Sequence, residues 1–318
     1  MYLRTAYSKS KIVIILGPTA TGKSDLAVKL AKRFNGEVVS ADSRQVYKGL
    51  DLGSGKITKR DMKGVHHHLL DVTSPRSMFT VQRYQKLAQK AIADILKRGK
   101  LPIVCGGTGL YIDSIIYNTQ FPKVPPNPKL RKKLEAMSTI RLFARIRELD
   151  PARAATIDPH NRPRLIRAIE IAKALGKVPE LEKQSPYEVL KIGLNLAKEE
   201  LKKRLEKKLQ KRLRLGMVKE VSGLHKNGLS WKRLDSFGLE YRYISRYLRP
   251  VRGREGSQRP SASNGIRYQQ MKAEILKESL HYAKRQMTWW KRQKDIDWIQ
   301  PPYLKKAQKL ASEFIKIG

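Results

Sequence analysis

The sequence predicts an α/β protein built on a parallel sheet, and three observations carry that expectation. Short apolar runs at 12–16, 37–41 and 101–105 have the uninterrupted, β-branched character of strands buried on both faces. The stretches between them place apolar residues at helical spacing: Leu26, Ala27, Leu30, Ala31 and Phe34 after the first run, and Tyr84, Leu87, Ala88, Ala91, Ile92, Ile95 and Leu96 before the third. Between the first run and the first helical stretch lies "GPTATGKS" (17–24), a Gly-x-x-x-x-Gly-Lys-Ser loop. Together these define a P-loop NTPase-like parallel sheet flanked by helices, with a ligand site at the carboxyl ends of the strands. A small all-helical insertion domain completes the expected architecture.

The opening residues, "MYLRTAYSKSK", contain no long apolar stretch and read as a short arm before the first strand rather than a signal peptide. Residues 1–121 form the first part of the α/β body. At "FPKVPPNPKL" (121–130) the texture changes: helical stretches follow at 131–149, 151–156 and 163–175, with no strand-like run until 189–196. Residues 122–188 are therefore expected to be the helical insertion, and 189–318 to return to the body. There Leu201, Leu205, Leu209 and Leu213 recur every four residues among lysines and arginines, and Gly216 can end that helix. The stretch 250–265 is nearly devoid of large apolar groups and is expected to be a mobile loop.

Charge narrows the partner. Lys and Arg number 67 against 28 Asp and Glu, a formal net charge of +39. A polyanion is the simplest counterpart, with nucleic acid ahead of an anionic membrane, because no segment approaches the roughly 20 apolar residues of a span. The single cysteine, Cys105, excludes an internal disulfide and a cysteine-rich zinc module; it fits a reducing, cytoplasmic compartment and a core position in its strand.

The loop 17–24 supplies a phosphate cradle. Its backbone N–H groups and the helix N-terminus meet phosphate oxygens, Lys23 adds a positive charge, and the Ser24 hydroxyl can ligate Mg²⁺. The strand at 101–105 ends in "GGTGLY" with no carboxylate, so the strand-end acid is Asp42, a candidate metal-holding group or general base, or else a turn cap beside Ser43. His66, His67 and His68 form no evident metal tract, since consecutive strand residues cannot all face one ion. On these features alone a P-loop nucleotide kinase or NTPase remains an alternative, as does a non-catalytic RNA-binding protein.

A resemblance separates them. "GPTATGKS", "SADSRQVYKGLDLGSGK", "HHHLLDV", "LPIVCGGTGLY", "RPRLIRAIEI" and "AKRQMTWWKR" occur in this order, and the chain resembles the bacterial-type tRNA dimethylallyltransferases from about residue 12 to 298. The resemblance implies that Gly17, Pro18, Thr19, Ala20, Thr21, Gly22, Lys23 and Ser24, with Lys208, hold the diphosphate of dimethylallyl diphosphate. It implies transfer of the dimethylallyl group to N6 of the adenosine 3′-adjacent to the anticodon, in tRNAs reading codons that begin with U. Asp42 would be the base, Thr19 would donate to the bridging oxygen, and Mg²⁺ would sit at Ser24. The anticodon stem-loop would be met by Asp42, Ser43, Arg44, Gln45 and Thr108, by Arg131, Arg164 and Arg167 of the insertion, and by Gly238, Tyr241, Arg242, Lys284, Arg285, Gln286 and Trp289. His67 would lie near the site, and the enzyme is expected to be a monomer.

Two departures stand out. Lys208 occupies a position where the family usually has an arginine reaching the diphosphate; lysine keeps the charge and loses the two-pronged geometry. Arg204 is the neighbour expected to compensate. The stretch 250–265 replaces a short connection and reads as a surface insertion.

Overall fold

The computed structural model describes residues 9–180, 184–249 and 261–316. Its centre is a six-stranded sheet in the order β3-β2-β4-β1-β5-β6. The strands are β1 (Ser10–Leu16), β2 (Gly36–Ala41), β3 (His67–His68), β4 (Leu101–Gly106), β5 (Tyr187–Leu194) and β6 (Asp297–Ile299). All pairings are parallel, so every strand presents its carboxyl end on the same edge. Side chains of β1 alternate between two cores: Ile12, Ile14 and Leu16 join one cluster, Val13 and Ile15 the other. Burial on both faces is why β1 reads as a continuous apolar run.

Helices α1 (Lys23–Arg33), α2 (Lys59–Met62), α3 (Val81–Lys97) and α4 (Gly109–Ile116) belong to the first part of the body. Thr80 caps α3 by accepting a hydrogen bond from the Arg83 N–H. The face of α3 carrying Tyr84, Ala88, Ile92 and Ile95 covers one side of the sheet, and Leu26, Ala27, Leu30 and Ala31 of α1 cover the other.

Residues Thr119–Gln184 form a separate compact unit, bounded three to four residues ahead of the expected 122–188 at either end. It contains α5 (Pro128–Glu135), α6 (Thr139–Leu149), α7 (Pro151–Thr156) and α8 (Arg162–Leu175). The single helical stretch expected at 131–149 is in fact two helices. Ser138 breaks it, its side chain accepting from the Arg141 N–H to cap α6. Leu134, Leu142, Ile146, Leu165 and Ile169 make this unit's own core.

The chain rejoins the body at β5, two residues earlier than the expected 189–196, because Tyr187 through Gly193 pair in register with Ser10 through Leu16. Then follow α9 (Lys198–Arg214), α10 (Met217–Lys226), α11 (Trp231–Ser236), α12 (Leu239–Leu248), α13 (Ser261–Trp290) and α14 (Tyr303–Lys316). Leu205 and Leu209 of α9 are buried as the four-residue repeat implies. Gly216 separates α9 from α10 in a left-handed conformation, φ 100°. Of the expected loop 250–265, residues 250–260 lie outside the described residues. Residues 261–265 correct it: they are the first turn of α13, since a helix already propagating through Met271 and Ile275 extends cheaply into small polar residues.

Candidate active site

The carboxyl ends of three adjacent strands supply the site. β4 lies between β1 and β2, so the loops after Leu16, Gly106 and Ala41 stand side by side. They open onto a cavity of about 470 Å³ that is also lined by residues of α9, α12 and α13. Parallel strands are spaced about 4.8 Å apart, so the β1 and β2 loops lie roughly 10 Å from each other.

The first loop is a wound phosphate cradle. Gly17 (φ 135°), Ala20 (φ 64°) and Gly22 (φ 97°) take positive φ and turn the intervening N–H groups inward. At Gly17 a side chain is excluded outright, because a Cβ there would lie 2.5 Å from the Leu194 carbonyl oxygen. The Thr21 hydroxyl, fully buried, donates to the Pro18 carbonyl at 2.9 Å, and Lys23 also holds that carbonyl. Pro18 and Thr21 thus brace the loop from within, while Thr19, Ala20, Gly22, Lys23 and Ser24 line the cavity. Desolvation pushes the Lys23 ammonium down to about 8, with Lys208 adding repulsion and Asp42 opposing it. A phosphate would reverse that shift. Buried Cys105 sits under the loop, hydrogen-bonded to Ser24, and burial pushes its thiol up to about 11, so it is a neutral wall at physiological pH.

Across the cavity, Asp42 follows β2. Its Oδ1 accepts from the backbone N–H of Arg44 at 2.7 Å and of Gln45 at 3.3 Å. Its Oδ2 has no hydrogen-bond partner among the described residues, and Asp42 lines the cavity. The turn-cap reading of Asp42 is met by Oδ1 alone, which leaves Oδ2 without a partner among the described residues. The Arg44 guanidinium holds the Phe237 carbonyl at the α11–α12 junction, beside Gly238. Gln45 lines the cavity and donates to Gly55 O at 3.4 Å, while the Ser43 N–H donates to Thr108 Oγ1 at 3.3 Å.

Cations arrive from α9. Lys208 lines the cavity, and burial followed by repulsion from Arg212 holds its ammonium below the usual lysine range. The expected compensator, Arg204, instead pairs with Glu200 at 2.7 Å. Lys211 and Arg212 of the same helix also line the cavity; Arg212, one turn beyond Lys208, donates to Leu52 O and Gly53 O and pairs with Glu240 at 2.6 Å. The loop carrying those carbonyls is gripped from its other side by Glu220 of α10, whose carboxylate accepts from the N–H groups of Asp51, Leu52 and Gly53. No sequence signal marked Arg212 or Glu220, because their roles depend on a loop more than 150 residues away.

Several residues expected at the RNA have partners within the protein. Tyr241 is buried, with its hydroxyl donating to Glu220 at 2.8 Å. Gln286 is buried; its Oε1 accepts from the Thr19 N–H at 2.9 Å and its amide donates to Gly107 O at 3.0 Å. Trp289 Nε1 donates to Asp113 at 2.9 Å. Arg131 and Arg167 both bind Glu170, which is 3% exposed. These side chains were expected on the surface because basic and aromatic motifs look alike whether they face RNA or a buried acid. Arg164, Lys284 and Arg285 are exposed, Arg285 pairing with Glu278, and Arg242 lies 3.7 Å from Asp235.

The histidines also differ from expectation. His66 and His68 share one side of the edge strand with Glu37 of β2 within 4.8 Å, while His67 turns away to Val65 O. A carboxylate partner does therefore exist. Yet Glu37 already accepts from Arg98, Lys100 and His68, whose hydrogen bonds, opposed by desolvation, hold it well below the usual carboxylate range. Two permanent cations at the ligand disfavour a third. The cluster sits at the amino-terminal end of β2, remote from the cavity loops.

Fold and cavity define a P-loop protein in which a strand-end carboxylate faces the phosphate loop. The chain belongs to the IPP transferase family, whose sequence profile matches residues 45–293. A tRNA dimethylallyltransferase of Anoxybacillus flavithermus is 39% identical over 296 residues, covering 91% of this chain and 90% of its own. The corresponding protein of Pelotomaculum thermopropionicum is 36% identical and covers 97% of this chain and 96% of its own. The crystal structure of the tRNA isopentenylpyrophosphate transferase of Bacillus halodurans matches with a TM-score of 0.71 at 32% identity, over 97% of both chains. A eukaryotic dimethylallyltransferase shares the fold with a TM-score of 0.76 at 24% identity.

Proposed function

We propose that this protein transfers the dimethylallyl group from dimethylallyl diphosphate to N6 of the adenosine 3′-adjacent to the anticodon, in tRNAs reading U-starting codons. The observation that supports this reading is that Asp42, with one carboxylate oxygen left free of hydrogen bonds among the described residues, lines the same cavity as the phosphate loop. The diphosphate sits on the loop N–H groups with Lys23 and Lys208, and the Thr19 hydroxyl donates to the bridging oxygen. The adenine enters opposite, flipped out of its stack at a cost of about a few kcal/mol.

An exocyclic adenine amine is a poor nucleophile because its lone pair is delocalised. As the N6–C1 bond forms and the C1–O bond to diphosphate breaks, Asp42 accepts the N6 proton. Charge developing on the leaving diphosphate is stabilised by fixed loop dipoles and the lysines. The oxygen donors at the cavity, the Ser24 hydroxyl and the Asp25 and Asp42 carboxylates, suit a hard divalent ion. Ser24 would hold Mg²⁺, which when bound supplies further charge neutralisation at the diphosphate.

Among the described residues no helix is long and apolar enough to cross a membrane. The net charge of +39 suits tRNA as the partner, with a cytoplasmic monomer as the working form. The test is incubation with dimethylallyl diphosphate and unmodified tRNA: prenylated adenosine next to the anticodon supports the reading, whereas ATP turnover without tRNA would favour a kinase.

A further inference from the structure

Helix α13 touches both halves of the cavity with side chains one turn apart. Gln286 binds the Thr19 N–H and the Gly107 carbonyl, so it ties the phosphate loop after β1 to the loop after β4. A Cβ at Gly107 would meet the Gln286 amide nitrogen, so a side chain there would displace this contact. Four residues earlier, Tyr282 lines the cavity with its hydroxyl towards the Thr108 side chain. Thr108 stands at the N-cap of α4 yet makes no capping hydrogen bond; its Oγ1 accepts instead from the Ser43 N–H, on the Asp42 turn. Residues at i and i+4 share one helix face, so α13 presents one grip to the donor loop and one to the base-bearing turn. The helix is locked in rotation at its end by buried Trp290 and by the hydrogen bond from Trp289 to Asp113.

We propose that Tyr282 and Gln286 are positioning residues, through which α13 acts as a ruler setting the separation of the Thr19 loop from Asp42. Neither residue need touch tRNA. The proposal rests on the transfer reaction above only for its catalytic consequence; the coupling itself belongs to the fold. An allylic carbon and an amine must be held near 3–3.5 Å before reaction, and an error of about 1 Å costs on the order of 100-fold.

The experiment compares wild type, Tyr282→Phe, Gln286→Met and the double variant. Amide hydrogen exchange is measured on the substrate-free protein, and steady-state kinetics with both substrates. Gln286→Met keeps shape while losing both hydrogen bonds. The expected result is lost protection at the Thr19 amide and also at the distant Ser43 amide. With it, kcat falls about 10- to 100-fold while both KM values stay within about threefold. The double variant is expected to be no slower than the worse single one, because either change releases the same constraint. Protection lost only at Thr19, multiplying kcat effects, or a tenfold rise in the KM for tRNA at unchanged kcat would each overturn the ruler. A wild type that fails to prenylate tRNA would instead overturn the functional reading, with the exchange data still deciding the coupling.

Discussion

Asp42 Oδ1 lies 2.7 Å from the Arg44 backbone nitrogen and 3.3 Å from that of Gln45, and these two hydrogen bonds leave Oδ2 as the oxygen without a partner among the described residues. Arg44 is fixed in turn, since its guanidinium grips the Phe237 carbonyl. The carboxylate is thus held by its own turn.

Asp42→Asn is the informative substitution there. Its amide oxygen still accepts the Arg44 N–H, so the turn survives, while the proton acceptor is gone. A loss of about 10²–10⁴ in kcat, with tRNA affinity and melting temperature unchanged, is the expected outcome by rapid-quench assay and thermal unfolding.

Lys23 links function to stability. Its folded value of about 8 lies below the ordinary 10.5, so between those pH values the unfolded chain holds the proton and the folded one does not. Stability contributed by this group therefore rises with pH across that window, and the full cost of burying the charge is present below about 8. Lys23→Met is expected to raise the melting temperature by about 3 °C at pH 7, the gain vanishing by pH 10, while diphosphate affinity is lost. In wild type, diphosphate affinity should fall as pH rises above about 8, as read by calorimetry.

Lys208 is expected to bear on the donor alone. Lys208→Ala should raise the KM for dimethylallyl diphosphate about tenfold and leave that for tRNA within twofold, whereas Lys208→Arg, with a two-pronged donor, should lower it.

Glu37 tests the histidine cluster as structure rather than metal site. Its pKa is depressed by Arg98, so the stability it contributes is present above the unfolded carboxylate value and is lost as pH falls below about 4.5. Glu37→Gln should cost about 3 kcal/mol in denaturant unfolding at pH 7, with added zinc making no difference to either protein.

The contrast between local and distant information explains what the sequence revealed. The order strand, glycine loop, helix is local, so the Gly17–Ser24 cradle, the α/β class and the strand-end position of Asp42 could be read directly. Ser138, a capping residue inside a helical run, was a local signal that the apolar spacing of 131–149 outweighed. Gln286, Tyr241 and Arg131 sit in motifs rich in polar and basic residues, and nothing nearby says that their partners are Thr19, Glu220 and buried Glu170, whereas the i,i+3 pair Arg167–Glu170 was a local signal. Tyr282 could have been found from its four-residue spacing to Gln286, had the face of α13 been known.

The measurement that tests the account most directly is transfer of radiolabel from dimethylallyl diphosphate to unmodified tRNA by wild type and by Asp42→Ala. The account predicts label on the adenosine following the anticodon with wild type and none with the variant, although both bind tRNA alike. Equal labelling by the two proteins would contradict Asp42 as the base, and absence of labelling by folded, tRNA-binding wild type would contradict the transfer reaction itself.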